Sequence, residues 1–284
     1  MINIISAFSE QGNKYNEDSF FYSDNFFVVI DGATGLNEKK LTSSKTDAAW
    51  LAQRLKKLLK KDLANLNCSV VDILKKEAQI IKSELDNMGY NMFTSSKFYP
   101  SACVSIVRIN KNNLECYSLG DSPIFIIKRN NDLITLYDNS VELMDNRVLS
   151  QMINLHKKTG CSIYCARNNA VINDMLINNR SKMNQNNSYY IFEPTGIGID
   201  HIKKTIVPLT DISAFALMTD GFYSVLSTYK IVQENRELMY KLIDGKALNL
   251  FYQLKELAYA DTTFNKYPRL KMIDDATVIV AKNL

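Results

Sequence analysis

Phe26-Phe27-Val28-Val29-Ile30-Asp31-Gly32 is an unbroken apolar run that ends on a carboxylate and a glycine. Its β-branched and aromatic side chains read as a strand buried on both faces. Asp31 then stands at the rim of a sheet, fixed in position by the strand yet wet. The same construction recurs where Phe215-Ala216-Leu217-Met218 leads towards Asp220-Gly221, and where Ala276-Thr277-Val278-Ile279-Val280 follows Asp274-Asp275. A further acidic pair, Glu17-Asp18, lies upstream. Any one Asp-Gly pair is an ordinary turn signal. Several carboxylate-bearing rims brought together make an oxygen-rich pocket, which suits a hard divalent cation such as Mg²⁺ or Mn²⁺.

Outward from that run, strands are expected at Asn3 to Phe8, Ser19 to Ser23 and Phe26 to Asp31. The apolar period then changes from two to about 3.6. Thr42 to Leu63 reads as one long helix with Thr42 or Ser43 as N-cap, and Val70 to Met88 as a second. A polar loop with Thr94-Ser95-Ser96 leads to Pro100. Strands follow at Ala102 to Ile109, Leu114 to Leu119, Ile124 to Lys128 and Leu133 to Tyr137. Val141 to Lys158 and Asn169 to Met183 read as helices, and the Asn-rich run Asn178 to Asn187 as a mobile loop. Short strands are expected at Tyr189 to Phe192 and Lys204 to Val207. Helices follow near Thr228 to Leu242 and Lys246 to Tyr259, and Ala276 to Ala281 closes the chain as a strand. Antiparallel meanders with paired helices predict an α+β sandwich of two sheets with helices on the outer faces.

The composition supports a large core: 46% of the 284 residues are hydrophobic, with fifteen Tyr and thirteen Phe. A net charge of +4, with both signs interspersed, gives no electrostatic case for nucleic-acid binding. The densest basic stretch, Arg54 to Lys61, reads as the solvent face of an amphipathic helix. Five cysteines without a C-x-x-C pair show no zinc or disulfide framework, which fits a reducing cytosol. No signal peptide and no membrane span are visible, so a cytoplasmic location is expected. His156 and His201, the two histidines, read as surface residues. Neither a G-x-S-x-G elbow nor a P-loop is present, which argues against a serine hydrolase and a P-loop nucleotide hydrolase.

Five motifs in order carry a resemblance across nearly the whole chain. They are Asn16-Glu17-Asp18, Asp31-Gly32-Ala33-Thr34-Gly35, Gly120-Asp121-Ser122, Thr219-Asp220-Gly221 and Asp274-Asp275-Ala276-Thr277-Val278. The set resembles the metal-dependent protein serine/threonine phosphatases, the protein phosphatase 2C or PPM type, and their bacterial members in particular. The resemblance implies one phosphatase domain over 1–284, a four-layer α/β/β/α sandwich, with a helical flap around 141–187. It implies hydrolysis of phosphoserine and phosphothreonine by a water bridging two Mn²⁺ or Mg²⁺ ions about 4 Å apart. By resemblance Asp31 bridges the ions, the Gly32 carbonyl binds one, and Asp220 and Asp274 bind the other. Asp274 ranks above Asp275, which fills a place where the family often has Asn. Glu17 and Asp18 would act through bound waters, and Asp121 on a third, looser ion. The partners implied are phosphoprotein substrates shared with an opposing Ser/Thr kinase.

Two departures stand out. Many relatives carry a phosphate-gripping Arg four residues before Glu17, where this chain has Asn13 followed by Lys14. Ala33 stands where animal relatives place a His that protonates the leaving group. Arg180 and Lys182, at the end of the expected flap, are the candidate substitute substrate contacts. The rival reading is a pseudophosphatase, the same fold kept as a binding or regulatory module.

Overall fold

The computed structural model describes residues 2–12, 14–36, 40–93 and 95–283. Asn13 and Thr94 lie outside the described residues. Two five-stranded antiparallel sheets form the centre. One is ordered β1 (Ile2–Glu10), β10 (Ala276–Asn283), β9 (Ile212–Met218), β6 (Ile124–Lys128), β7 (Leu133–Leu136). The other is ordered β2 (Asp18–Tyr22), β3 (Phe26–Ala33), β4 (Ser101–Asn110), β5 (Asn113–Leu119), β8 (Lys203–Pro208).

Strand alternation divides the core into layers. In β3, Phe27 and Val29 face the opposite sheet, where they join Phe215 and Leu217 of β9 and Ile279 of β10. Val28 and Ile30 face outward, under α1 (Asp47–Asp62) and α2 (Val70–Asn87). On the other side Ala216, Met218, Val278 and Val280 pack under α6 (Asp220–Ser227), α7 (Asn235–Ile243) and α8 (Ala247–Ala260). The result is the expected four-layer α+β sandwich. Between β7 and β8 lie α3 (Ser140–Thr159), α4 (Ile163–Ala166) and α5 (Ala170–Ser181). Val148, Met152, Ile163, Ala166 and Ile172 of these helices bury a small core of their own around Phe264.

Four expectations need correction. Helix α1 begins at Asp47, capped by Thr46, whose hydroxyl accepts from Ala49 N–H at 3.0 Å. Thr42 is instead buried, its backbone and hydroxyl both donating to Asp47. Tyr189 to Phe192 is no strand: only Phe192 pairs, in a bridge to Ala102. Of the helix expected from Thr228 to Leu242 only α7, from Asn235, forms; α6 ends at Ser227 and residues 228–234 are not helical, with Lys230 at a left-handed φ of 52°. The Asn-rich run starts inside α5 and is tied down beyond it, since the Asn184 side chain is buried and accepts Ile191 N–H at 2.9 Å.

Candidate metal centre

The acidic motifs meet at one end of the sheet pair. Asp18 and Asp31 are cross-strand neighbours on β2 and β3. Asp31 continues the Phe27/Val29 face, so its side chain turns into the gap between the sheets. From the opposite sheet, β9 ends in Thr219 and delivers Asp220 at the start of α6. The Asp31 and Asp220 carboxyls lie near one another across the gap. Asp121 follows β5 and pairs with the Cys103 thiol. Asp274 precedes β10. Residues more than 250 positions apart in sequence, Asp18 and Asp274, thus come close enough to act on one another.

Two threonines fasten this end of the sandwich. Thr219 and Thr277 hydroxyls both donate to Asp18 Oδ2, at 3.0 and 2.7 Å, and so orient that carboxylate from the opposite sheet. Asp275 works on the other side, accepting the N–H groups of Gly12 and Glu17 at 2.8 Å each. The Glu17 carboxylate accepts the Thr34 hydroxyl at 3.1 Å. Two of the motif glycines are required by packing. A Cβ on Gly32 would lie 2.7 Å from the Glu17 carbonyl oxygen, and one on Gly221 would lie 2.0 Å from that of Asp275. Close backbone approach is therefore a demonstrated reason for glycine at position 32.

Burial, together with the neighbouring carboxylates, pushes the Asp18 and Asp31 carboxyls well above the usual carboxylate range. Asp121 is likewise well raised, by burial and by Asp220. Burial and Asp274 raise Asp220. Such crowding of like charge is costly unless a cation sits among the oxygens. The donor set is all oxygen, the chemistry of a hard divalent ion. Among the described residues no three His, Cys, Asp or Glu side chains close on one point as a complete cage. A hard cation of this kind retains several waters and accepts backbone carbonyls, so it needs no such cage.

Two residues at this pocket escaped the sequence reading. Asp145 on α3 faces Asp220 and Asp274, and its carboxyl is raised to about 7 by desolvation, then by Asp220. Its spacing from Leu149 and Ile153, one and two turns on, is the signal that was available. Lys271 sets its ammonium 2.7 and 2.9 Å from the two Asp274 oxygens. Although desolvation opposes it, Asp274, Asp220 and Asp31 hold that ammonium above the usual lysine range. Asp121, Asp145, Asp220, Lys271 and Asp274 open into a cavity of about 510 Å³, also lined by Leu149, Ile153 and Leu254.

The three substrate-contact candidates lie elsewhere. Lys14 is exposed, its ammonium over the Tyr15 ring. Arg180 turns inward, donating to the Ser101 hydroxyl at 2.7 Å and the Tyr99 carbonyl at 2.8 Å, with the Ala33 carbonyl at 3.5 Å. Neither they nor Lys182 lines the cavity. His156 meets the Cys161 carbonyl and His201 stacks on Tyr190, both away from the carboxylates.

A two-sheet sandwich with a carboxylate pocket at its rim defines the class; the family model described as Protein phosphatase 2C matches residues 8–247. The chain belongs to the protein phosphatase 2C family, and so to the protein serine/threonine phosphatases. That range includes Glu17, Asp18, Asp31, Asp121 and Asp220 and stops short of Asp274. No curated protein matches the chain by sequence. The fold is similar to that of PppA from Pseudomonas aeruginosa, at 12% identity and a TM-score of 0.57, covering 100% of this chain and 98% of that one. The serine/threonine phosphatase PstP/Ppp from Mycobacterium tuberculosis is 15% identical with a TM-score of 0.53, covering 99% and 98%. Stp1 from Staphylococcus aureus is 14% identical with a TM-score of 0.53, covering 100% and 96%. Among the described residues no helix is long and apolar enough to cross a membrane.

Proposed function

We propose that this chain is a Mn²⁺- or Mg²⁺-dependent phosphoprotein phosphatase, hydrolysing phosphoserine and phosphothreonine by attack of a water bridging two divalent ions. One observation carries the reading. Asp18, Asp31, Asp121, Asp220 and Asp274, from five separate motifs in the chain, converge on one rim, where burial and the neighbouring carboxylates raise the proton affinity of the first four. The catalytic domain of PstP, alike in fold, was solved in complex with two manganese ions.

Asp31, the Gly32 carbonyl, Asp220 and Asp274 are the residues that would hold two ions, with Asp121 beside a third. Bound there, such ions polarise phosphoryl oxygens and generate a nucleophilic water near neutral pH. The chain's own part is placement. Asp18, oriented by Thr219 and Thr277, and Glu17, tied to Thr34, would position water at the rim. Asp275 holds the Gly12–Glu17 backbone against the site. Residues 1–284 would form one phosphatase domain, in which the helical segment 141–187 is a flap contributing Asp145 to the pocket wall. Phosphoproteins acted on by an opposing Ser/Thr kinase are the fitting substrates.

Phosphate release from a phosphothreonine peptide, with Mn²⁺ and with excess chelator, tests this. The expected result is turnover that needs Mn²⁺ and disappears in Asp31→Ala, Asp220→Ala and Asp274→Ala. Turnover unchanged by chelator would overturn it. Folded protein that takes up no Mn²⁺ by calorimetry would favour the inactive binding module.

A further inference from the structure

We propose that Lys271 is the cation that grips the substrate phosphate in this chain, a role that rests on the phosphatase reading above. A phosphate dianion entering this pocket passes Asp121, Glu142, Asp145, Asp220 and Asp274, five carboxylates on the cavity wall. Besides any bound metal, it needs a positive donor to orient it. Among the described residues, two basic side chains line the cavity, Arg269 and Lys271.

Arg269 is committed to the fold. It is 7% exposed, pairs with Asp261 at 3.0 Å, and donates to the carbonyls of Ala258, Asp261, Tyr267 and Met272. Arg180 is spent on Ser101 and Tyr99, outside the cavity.

Lys271 differs on each count. Its side chain is 55% exposed at the mouth of the pocket, and its ammonium already touches Asp274. An ammonium has three donors on a flexible four-carbon stem. The two Asp274 oxygens take two of them, which leaves a third to direct at a phosphoryl oxygen. Lys271 therefore links a carboxylate of the centre to the place where phosphate must lie.

The test compares wild type, Lys271→Met and Lys271→Arg in saturating Mn²⁺. Inorganic phosphate is titrated into each by calorimetry, Mn²⁺ uptake is measured separately, and KM and kcat are followed on an aryl phosphate. Lys271→Met should weaken phosphate binding and raise KM by about tenfold or more, the loss of one charge-assisted bond. Its Mn²⁺ uptake should persist, and Lys271→Arg should retain phosphate affinity. Unchanged phosphate affinity in Lys271→Met, with or without tighter Mn²⁺ uptake, would overturn the proposal and leave Lys271 a mere counter-ion of Asp274. Absence of phosphate binding by the wild type, or loss of Mn²⁺ uptake in Lys271→Met, would overturn it too. Failure of Lys271→Met to fold leaves Lys271→Arg to decide, an arginine that loses phosphate affinity counting against the proposal. A wild type that binds phosphate through Lys271 yet hydrolyses no phosphopeptide would sink the phosphatase reading alone. Phosphopeptide turnover untouched in Lys271→Met would sink this one alone.

Discussion

Asp274 and Asp275 are adjacent in the chain and perform opposite tasks. Asp275 is 5% exposed and holds two backbone N–H groups of the Gly12–Glu17 segment. Asp275→Ala leaves those donors without their acceptor and should cost about 2–4 kcal/mol of stability, read as a lower denaturation midpoint with unchanged slope. Asp274→Ala should leave the midpoint in chelator nearly unchanged while removing Mn²⁺-dependent turnover. Asp31 gives a prediction of the reverse sign. It lies in a crowd of buried like charges, so Asp31→Asn should melt higher than wild type in excess chelator while being inactive in Mn²⁺. A lower melting temperature in chelator would mean that the carboxylate is needed for the fold.

At the scale of elements, α1 and α2 show how a helix pair carries a pH dependence remote from the pocket. Glu77 on α2 is fully buried against Asp62 of α1, and its carboxyl is raised to about 7 by burial and by Asp62, while Asp62 is lowered. The pair shares one proton, held on Glu77. Folding thus binds a proton that the unfolded chain releases above its ordinary glutamate range. The stabilisation is full below that range and is lost as pH rises through about 7. Glu77→Gln should therefore be more stable than wild type at pH 8 by roughly 1 kcal/mol, with little difference at pH 5. Equal gains at both pH values would contradict the shared proton. Helix α5 supplies a second case. Arg180 ties it to Ser101 and Tyr99 beside the metal rim, so Arg180→Ala should free α5 without melting the sheets. Hydrogen exchange should speed up in residues 170–181 and stay slow in β3 and β9.

Across the whole molecule, the metal pocket adds a link between two sheets already packed face to face and the helical segment beside them. Asp18 and Asp31 lie on one sheet, Asp220 and Asp274 just beyond strand ends of the other, and Asp145 on the helical segment between β7 and β8. A cation bound among them links both sheets, and by mass action it stabilises only the folded chain. At a hundredfold excess over its dissociation constant, Mn²⁺ should add about 2.7 kcal/mol and raise the melting temperature by several degrees. The shift should fall sharply in Asp220→Asn. Calorimetric melts across a Mn²⁺ series provide the check, and a midpoint indifferent to Mn²⁺ would count against the centre.

Local chemistry was enough to read the strands and their acidic ends from sequence. Phe26 to Ile30 is apolar throughout because it is covered on both faces, and Asp31 follows because the strand leaves the core there. The same logic yielded β9, β10 and the α1–α2 pair. Boundaries failed where local pattern does not decide them: Thr42 bonds Asp47 rather than capping α1, and residues 228–234, with Lys230 at a left-handed φ, stay out of the helix that the apolar pattern suggested. The pocket itself was only partly legible. Its aspartates announce themselves by position after strands, but which face each takes depends on strand register and on which sheet lies opposite. Asp274 and Asp275 were ranked by the family resemblance alone; a hydrogen bond from Gly12 to one and the Lys271 ammonium on the other separate them physically. Arg180 and Lys182 were attractive candidates by charge and place in the chain, yet folding turns Arg180 inward to a carbonyl and a hydroxyl. Composition and period thus fixed which segments are buried and where the carboxylates emerge. Only the docking of two sheets across one gap decided which of those carboxylates meet, because that choice is made by contacts between residues far apart along the chain.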